Sequence, residues 1–339
     1  MRGALSVLAL LALLLSPTIA SAQSPSAQSA TVTAKPITRF QRANIGEPLG
    51  PLIFKGGLDL ASPHPDFGGL SSLAFLDADR FVMVSDEGRF FSGTLDLTDG
   101  APSGLSDVEI DVIRNSSGAP LPRKFTWDSE AIDVVFRDGA PAAVRVGFEH
   151  LTRVAEFALT DGRPGGPARE IAIPDWLTDL RTNGAIESLC MAPQTSPVAG
   201  STLIITESHS IIPDTWAATL LGDADRGDLA ISISGRFNPT DCAFLPNGDL
   251  LVLERGFAFL TFSVQLRRIP AHTVHAGAIM EGEILFSASG REVDNFEGLG
   301  VRVLPDGEVR VTIVSDNNFL GLQRTLLLEF ALPDEETAP

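Results

Sequence analysis

After about residue 50 the chain alternates short apolar runs with turns, and five of these units follow one plan. Each begins with an acidic or small polar residue and a short alternating run. It then turns and returns as a strongly apolar, β-branched run that ends near an acid. The copies occupy residues 71–75 with 81–86, 130–134 with 143–149, 187–191 with 202–207, 241–244 with 250–254, and 297–301 with 309–316. Asp138-Gly139, Asn247-Gly248 and Asp306-Gly307 separate the runs in three copies, and such pairs favour tight hairpins because both turn positions need positive φ. Short apolar runs bounded by turns predict buried strands.

The copies start at residues 71, 130, 187, 241 and 297, spacings of 59, 57, 54 and 56 residues. That period holds four strands with their loops, the unit of a propeller blade. Outer strands are predicted near residues 91–97 and 108–113, 152–159 and 169–173, 217–221 and 229–234, and 264–269 and 283–287. The fifth copy has one outer strand, at residues 323–332; the missing one is supplied by residues 51–60. The expected fold is all-β: a single β-propeller of about five four-stranded blades over residues 48–333, closed by an N-terminal strand that removes exposed sheet edges. Six blades is the alternative count.

The remaining segments point to export. Residues 1–22 combine Arg2, an apolar stretch and small residues up to Ala22, the pattern of a cleaved signal peptide. Residues 23–47 read as a leader or linker, unstructured to about residue 33, and residues 334–339 as a tail. The mature protein is therefore expected in the periplasm or outside the cell, without a membrane span and as a monomer. A net charge of −18 repels nucleic acid and anionic surfaces. There are only three lysines, so polyphosphate would find few cations. Cys190 and Cys242 occupy corresponding segments of neighbouring copies; they either form one disulfide or serve as two buried small residues.

Two sets of polar residues are expected at the channel. The repeat starts are Ser71, Glu130, Glu187, Asp241 and Glu297; the second-strand ends are Asp86, Glu149, Glu207, Glu254 and Asp316. Converging carboxylates repel one another and take up a proton or a cation. Ca²⁺ is the expected cofactor because it takes six to eight oxygen ligands. Asp86, Glu130, Glu187, Glu207, Glu297 and Asp316 are the candidate metal ligands, with neutral oxygens from Asn183, Asn295, Asn317 and Asn318. The alternative is that these acids bind loop amides or arginines. His209 and His150, beside second-set acids, and Glu187 are the candidate catalytic residues. Arg255, Arg324 and Arg89, just beyond the second strands, are candidates for binding a substrate carboxylate or phosphate. No nucleophile elbow, zinc helix or phosphate loop is present.

Several of these segments together carry a family resemblance. They are Gly68-Gly69-Leu70-Ser71-Ser72-Leu73, Ser85-Asp86-Glu87-Gly88, Asp128-Ser129-Glu130, Ile186-Glu187-Ser188, Asn295-Phe296-Glu297-Gly298-Leu299, Ser315-Asp316-Asn317-Asn318-Phe319 and Gln323-Arg324-Thr325. Over residues 48–332 the chain resembles the bacterial "esterase-like activity of phytase" family. The resemblance implies an exported hydrolase of phosphate or carboxylic esters on a propeller, acting on a small-molecule ester. Propeller phytases use calcium ions and many basic residues to hold phytate; this chain has the acids but few lysines. A non-enzymatic periplasmic binding or scaffold propeller and a calcium-dependent lactonase are the competing readings.

Overall fold

The computed structural model describes residues 27–333 except Asn183, Ser208, Asp223 and Ala224. The expected signal peptide, the C-terminal tail and the Asn183 oxygen lie outside the described residues.

Five sheets, each with four antiparallel strands running from an inner to an outer strand, form the blades. Blade 1 holds Leu70–Phe75, Arg80–Ser85, Arg89–Thr98 and Ala101–Val112. Blade 2 holds Ser129–Arg137, Ala140–Phe148, Arg153–Thr160 and Arg163–Ile171. Blade 3 holds Ser188–Met191, Thr202–Ile205, Thr215–Leu221 and Gly227–Ser232, and blade 4 holds Asn238–Phe244, Leu250–Ala258, Thr261–Ile269 and Glu283–Ser289. Blade 5 combines Asn295–Val303, Val309–Asp316 and Thr325–Leu332 with Leu52–Ala61 from the other end of the chain. The N-terminal strand therefore closes the ring, and the count is five.

Each gap between blades is filled by one apolar cluster. Leu58, Leu73, Phe91 and Val314 meet between blades 5 and 1, for example, and Leu253, Leu266, Phe296 and Ile313 between blades 4 and 5. Strands buried on both faces need near-continuous apolar runs, which is why the second strands read so strongly in the sequence. The gaps also bury ion pairs. Glu329 binds Arg302 and Arg310, whose Nη1 groups also donate to the Ala78 and Gly100 carbonyls of blade 1, at 2.9 and 3.0 Å.

Residues 27–47 are not a free leader where they are described. Gln28–Ser29 pairs with the outer strand of blade 1, and Thr33–Ile37 adds a fifth strand to blade 5. Phe40 is buried against Phe54 and Phe330. Two strand edges and the buried side chains of Ala30, Phe40 and Ala43 hold a segment whose composition is that of a linker.

Cys190 and Cys242 are bonded, joining the inner strands of blades 3 and 4. The bond closes a loop of 52 residues, and chain-entropy reasoning puts its contribution at about 4 kcal/mol. Replacing both cysteines by alanine should lower the denaturation midpoint of the oxidised protein and remove its sensitivity to reductant. Equal midpoints for the two proteins would show that the bond contributes nothing.

Candidate functional site at the carboxylate mouth

In each blade the inner strand starts at one end of the channel, and the second strand returns there. The site is set by a β-bulge near the start of the inner strands. Register jumps between Leu70 and Ser72, Ser129 and Ala131, Pro239 and Asp241, and Phe296 and Gly298. The extra residues are Ser71, Glu130, Thr240 and Glu297. In blade 3 Glu187 takes this place, its N–H bonding the Ile205 carbonyl opposite Ser188. A bulge re-aims its side chain out of the alternating pattern.

The register corrects the expected sets in blade 4 by one residue each. Thr240, not Asp241, occupies the bulge. Arg255, not Glu254, stands where the other blades have Asp86, Glu149, Glu207 and Asp316. Glu254 is buried and pairs with Arg267, which donates to the Ser232 carbonyl of blade 3. Asp241 lies one step deeper. It accepts from Ser72 Oγ of blade 1 and the Leu299 N–H of blade 5, both at 2.8 Å, so it ties non-adjacent blades across the channel.

The carboxylates gather above this plug. Asp128, Glu130 and Glu149 each bring one oxygen within 4.8 Å of the others, close enough to share one cation. Glu149 accepts from the Gly184 and Ala185 N–H groups and lies within hydrogen-bond reach of Glu187. Burial raises Glu130 well above the usual carboxylate range, and the charges of Asp128, Glu297, Glu149 and Asp86 push it further. Burial also raises Glu187, reinforced by Glu207, Glu149 and Glu130 and opposed by Arg255. Asp316 is pushed up to about 8 by burial and the charge of Glu297, against an N–H bond from Asn318. These acids therefore form one mutually repelling group.

Two cations reach it. Arg255 donates to Glu297 and to Asn295 Oδ1 (2.7 Å), and lies 3.6 Å from Glu207. Lys124 Nζ lies 2.8 Å from Asp86, 3.7 Å from Glu87 and 3.8 Å from Asp128. Burial opposes its charge, but the bond to Asp86 and the surrounding acids outweigh that and hold it above its ordinary value. Two cations do not neutralise the group. The donors are all oxygens, and Asp86 Oδ1 is buried without a hydrogen-bond partner. Gly69, at φ +63, lets the chain pass close to that oxygen, where a Cβ would lie 2.3 Å from it. The residues present fit a hard, oxygen-seeking cation.

The structure thus brings together Asp86, Glu130, Glu187, Glu207, Glu297 and Asp316, with Arg255 among them. His150 joins through Asp128, Nε2 to Oδ2 3.1 Å, and its ring stacks on Phe125. The described ring contact of His209 is a stack on Trp176, 5.3 Å between centroids. Blades 2 and 3 thus repeat one device, an aromatic ring from the preceding connection laid on a histidine from the loop after the second strand. Arg89 is paired with Asp66 and Arg324 with Asp294, so both cations are engaged at the rim. The expected metal ligands do not include Glu149, a second-set acid, and neither Asp128 nor Lys124 is among the expected site residues. Asp128 precedes Glu130 by two, and the intervening Ser129 turns inward to donate to the Ser85 carbonyl. That spacing was the available signal; Lys124 sits in a connection and has none.

The opposite mouth is different. A cavity of about 770 Å³ there is lined largely by apolar residues such as Phe75, Ile132, Met191 and Leu299. Its buried acid, Asp133, is raised to about 6 by burial against N–H bonds from Met191 and Val134. Among the described residues it shows no gathering of carboxylates like that at the first mouth.

The raised acids fix the sign of a pH dependence. Folded Asp316 holds its proton more tightly than the unfolded chain, whose value is near 3.8. The resulting stability is complete below that value and is lost as pH rises through about 8; Glu130 and Glu187 shift the same way. The melting temperature of chelator-treated protein should therefore fall between about pH 5 and pH 8.5. A rising melting temperature over that window would contradict the electrostatics described.

Comparison with known proteins places the chain in a family. No curated protein matches it. Among solved structures, the PQQ-bound aldose sugar dehydrogenase from Streptomyces coelicolor aligns at 13% identity and TM-score 0.42, covering 81% of this chain and 98% of that one. The calcium-binding protein regucalcin from Agrobacterium tumefaciens strain C58 aligns at 14% identity and TM-score 0.42, covering 88% and 95%. The family described as "Esterase-like activity of phytase" matches residues 65–319, from the approach to blade 1 into the loop after the second strand of blade 5. With that match running through the bulges and the carboxylate mouth, the chain belongs to the phytase-like family.

Proposed function

We propose that the chain is an ester hydrolase that works at the carboxylate mouth with a bound Ca²⁺. The observation that carries this reading is the close group of Asp128, Glu130, Glu149 and Glu187, partly buried and with more carboxylates than Arg255 and Lys124 offset. A scaffold or binding propeller would have its acids satisfied by arginine. That describes Glu254 and Glu329, but not Glu130 or Glu187. A lactone is an internal ester, so the lactonase reading falls within the same chemistry.

Asp128, Glu130 and Glu149, with the unpartnered oxygen of Asp86, would hold the ion, and Glu187, Glu207, Glu297 and Asp316 would surround it. Such an ion polarises an ester oxygen and lowers the pKa of a bound water. Arg255, anchored by Glu297 and Asn295, presents a fixed positive edge for orienting the substrate. His150, positioned by Asp128 and Phe125, takes a proton from the attacking water. The water oxygen bonds to the acyl carbon or phosphorus, the bond to the alcohol oxygen breaks, and the alcohol leaves with that proton.

Calcium should raise the melting temperature of the chelator-treated protein, by about 2.7 kcal/mol of stability at a hundred times its dissociation constant. It should also restore turnover of nitrophenyl esters or phosphates. Glu130→Gln should weaken both effects together. Full activity after chelation would remove the metal from the reaction, and no turnover on any ester or lactone would favour the binding propeller.

A further inference from the structure

The two cations at the carboxylate mouth are built differently. Arg255 lies within the second strand of blade 4 and is fixed by Glu297 and Asn295. Lys124 belongs to the four-residue helix Lys124–Trp127 in the connection from blade 1 to blade 2, and that helix buries none of its residues. The Arg255 side chain is 21% exposed and that of Lys124 50%. A guanidinium locked in a planar fork keeps its partners, whereas an ammonium on a flexible stem can turn to water. Two further arginines lie near but are held elsewhere. Arg123 sits over the Phe125 ring, 5.9 Å from its centroid, and Arg153 sits over Phe148 and donates to the Leu151 and Thr126 carbonyls.

Lys124 stands on residues that a metal ion would need. Its Nζ lies 2.8 Å from Asp86 Oδ2 and 3.8 Å from Asp128 Oδ1. Asp128 is also the residue that brings an oxygen within 4.8 Å of Glu130 and Glu149. The acids are held in place. The Asp86 N–H bonds the Gly69 carbonyl at 2.9 Å, and Asp128 is buried beside Ser129, which is anchored on the Ser85 carbonyl. A divalent ion and an ammonium on the same two carboxylates repel each other strongly at partial burial. Of the two, the lysine is the one free to move.

Resting on the calcium reading above, we infer that Lys124 is the tethered counter-cation of the metal-free mouth and that Ca²⁺ displaces it from Asp86 and Asp128. The lysine offsets part of the repulsion among the acids when no ion is bound, and swings to solvent when one binds. It therefore sets the affinity of the site, because an entering ion must first break this contact. Arg255 stays in place throughout, held by Glu297 and Asn295.

The chain has only three lysines, Lys35, Lys55 and Lys124, so the exchange can be read in the wild type. Trace acetylation followed by mass spectrometry should modify Lys124 at least about fivefold faster with saturating Ca²⁺ than with chelator, because an ammonium released from two carboxylates gives up its proton more readily. Lys35, exposed on the strand Thr33–Ile37, and Lys55, paired with Glu308, should not change. Lys124→Met keeps much of the stem and removes the charge. In calorimetric titration with CaCl₂ it should bind at least about tenfold more tightly than the wild type, since the competing charge is gone. Lys124→Arg, which keeps the charge, should show no such gain. With chelator at pH 8 the methionine variant should melt below the wild type, and Ca²⁺ should close that gap. Equal or weaker Ca²⁺ binding by Lys124→Met, or Lys124 acetylation that Ca²⁺ does not change, would overturn the inference and leave the calcium reading standing. Failure of the wild type and both variants to bind Ca²⁺ would remove the calcium reading and this inference with it.

Discussion

The hydrogen bonds between Leu52–Ala61 and Thr325–Leu332 are the constraint on which the rest of the molecule depends. A propeller blade buries both of its faces only if it has a neighbour on each side. Without closure, blades 1 and 5 would each expose an apolar face. Their shared cluster, Leu58, Leu73, Phe91 and Val314 among it, forms only because the chain termini meet in one sheet. The buried Glu329 and its two arginines all belong to blade 5, and the arginines reach across the same seam to the Ala78 and Gly100 carbonyls of blade 1, bonds that would be lost if the seam opened. Closure also brings Glu297 and Asp316 of blade 5 opposite Asp86 and Glu130.

The ring geometry then creates an electrostatic problem at one end. Bulges aim Glu130, Glu187 and Glu297 at the axis, and the second strands deliver Asp86, Glu149, Glu207 and Asp316 to the same level. Burial and mutual repulsion push these groups toward their neutral forms. Lys124, Arg255, backbone N–H groups and shared protons reduce the repulsion without removing it. Elsewhere the buried carboxylates are satisfied, by arginines at Glu254 and Glu329 and by a hydroxyl and backbone N–H groups at Asp241. The contrast within one molecule separates acids that hold blades together from acids poised for a cation. The Phe125–His150 stack adjoins the second kind through Asp128.

Much of this was legible in the residues. Periodic apolar runs, tight-turn pairs and a fifty-odd-residue period sufficed for five blades, their strands and the strand that closes the ring. The acids at the repeat starts and second-strand ends marked which end of the channel carries charge. Composition alone reads residues 27–47 as a leader, because edge strands need backbone partners rather than apolar side chains and composition does not reveal those partners. The sequence leaves Cys190 and Cys242 between two readings because pairing depends on the distance between neighbouring inner strands.

Blade 4 shows where sequence reading stops. Its run Thr240-Asp241-Cys242 and its pair Glu254-Arg255 offer an acid within one residue of every expected place. Side chains on a strand alternate faces, so one residue is the difference between the channel and the inter-blade core. The bulge in that blade falls on Thr240, which sends Asp241 down to the plug and Glu254 into the core, and gives the mouth Arg255. The sequence by itself determined the ring, its closure and the abundance of acid at one end, because those follow from strand periodicity. Only the tertiary structure decided which acids face one another, because that depends on bulge positions and on distances between strands far apart in the chain.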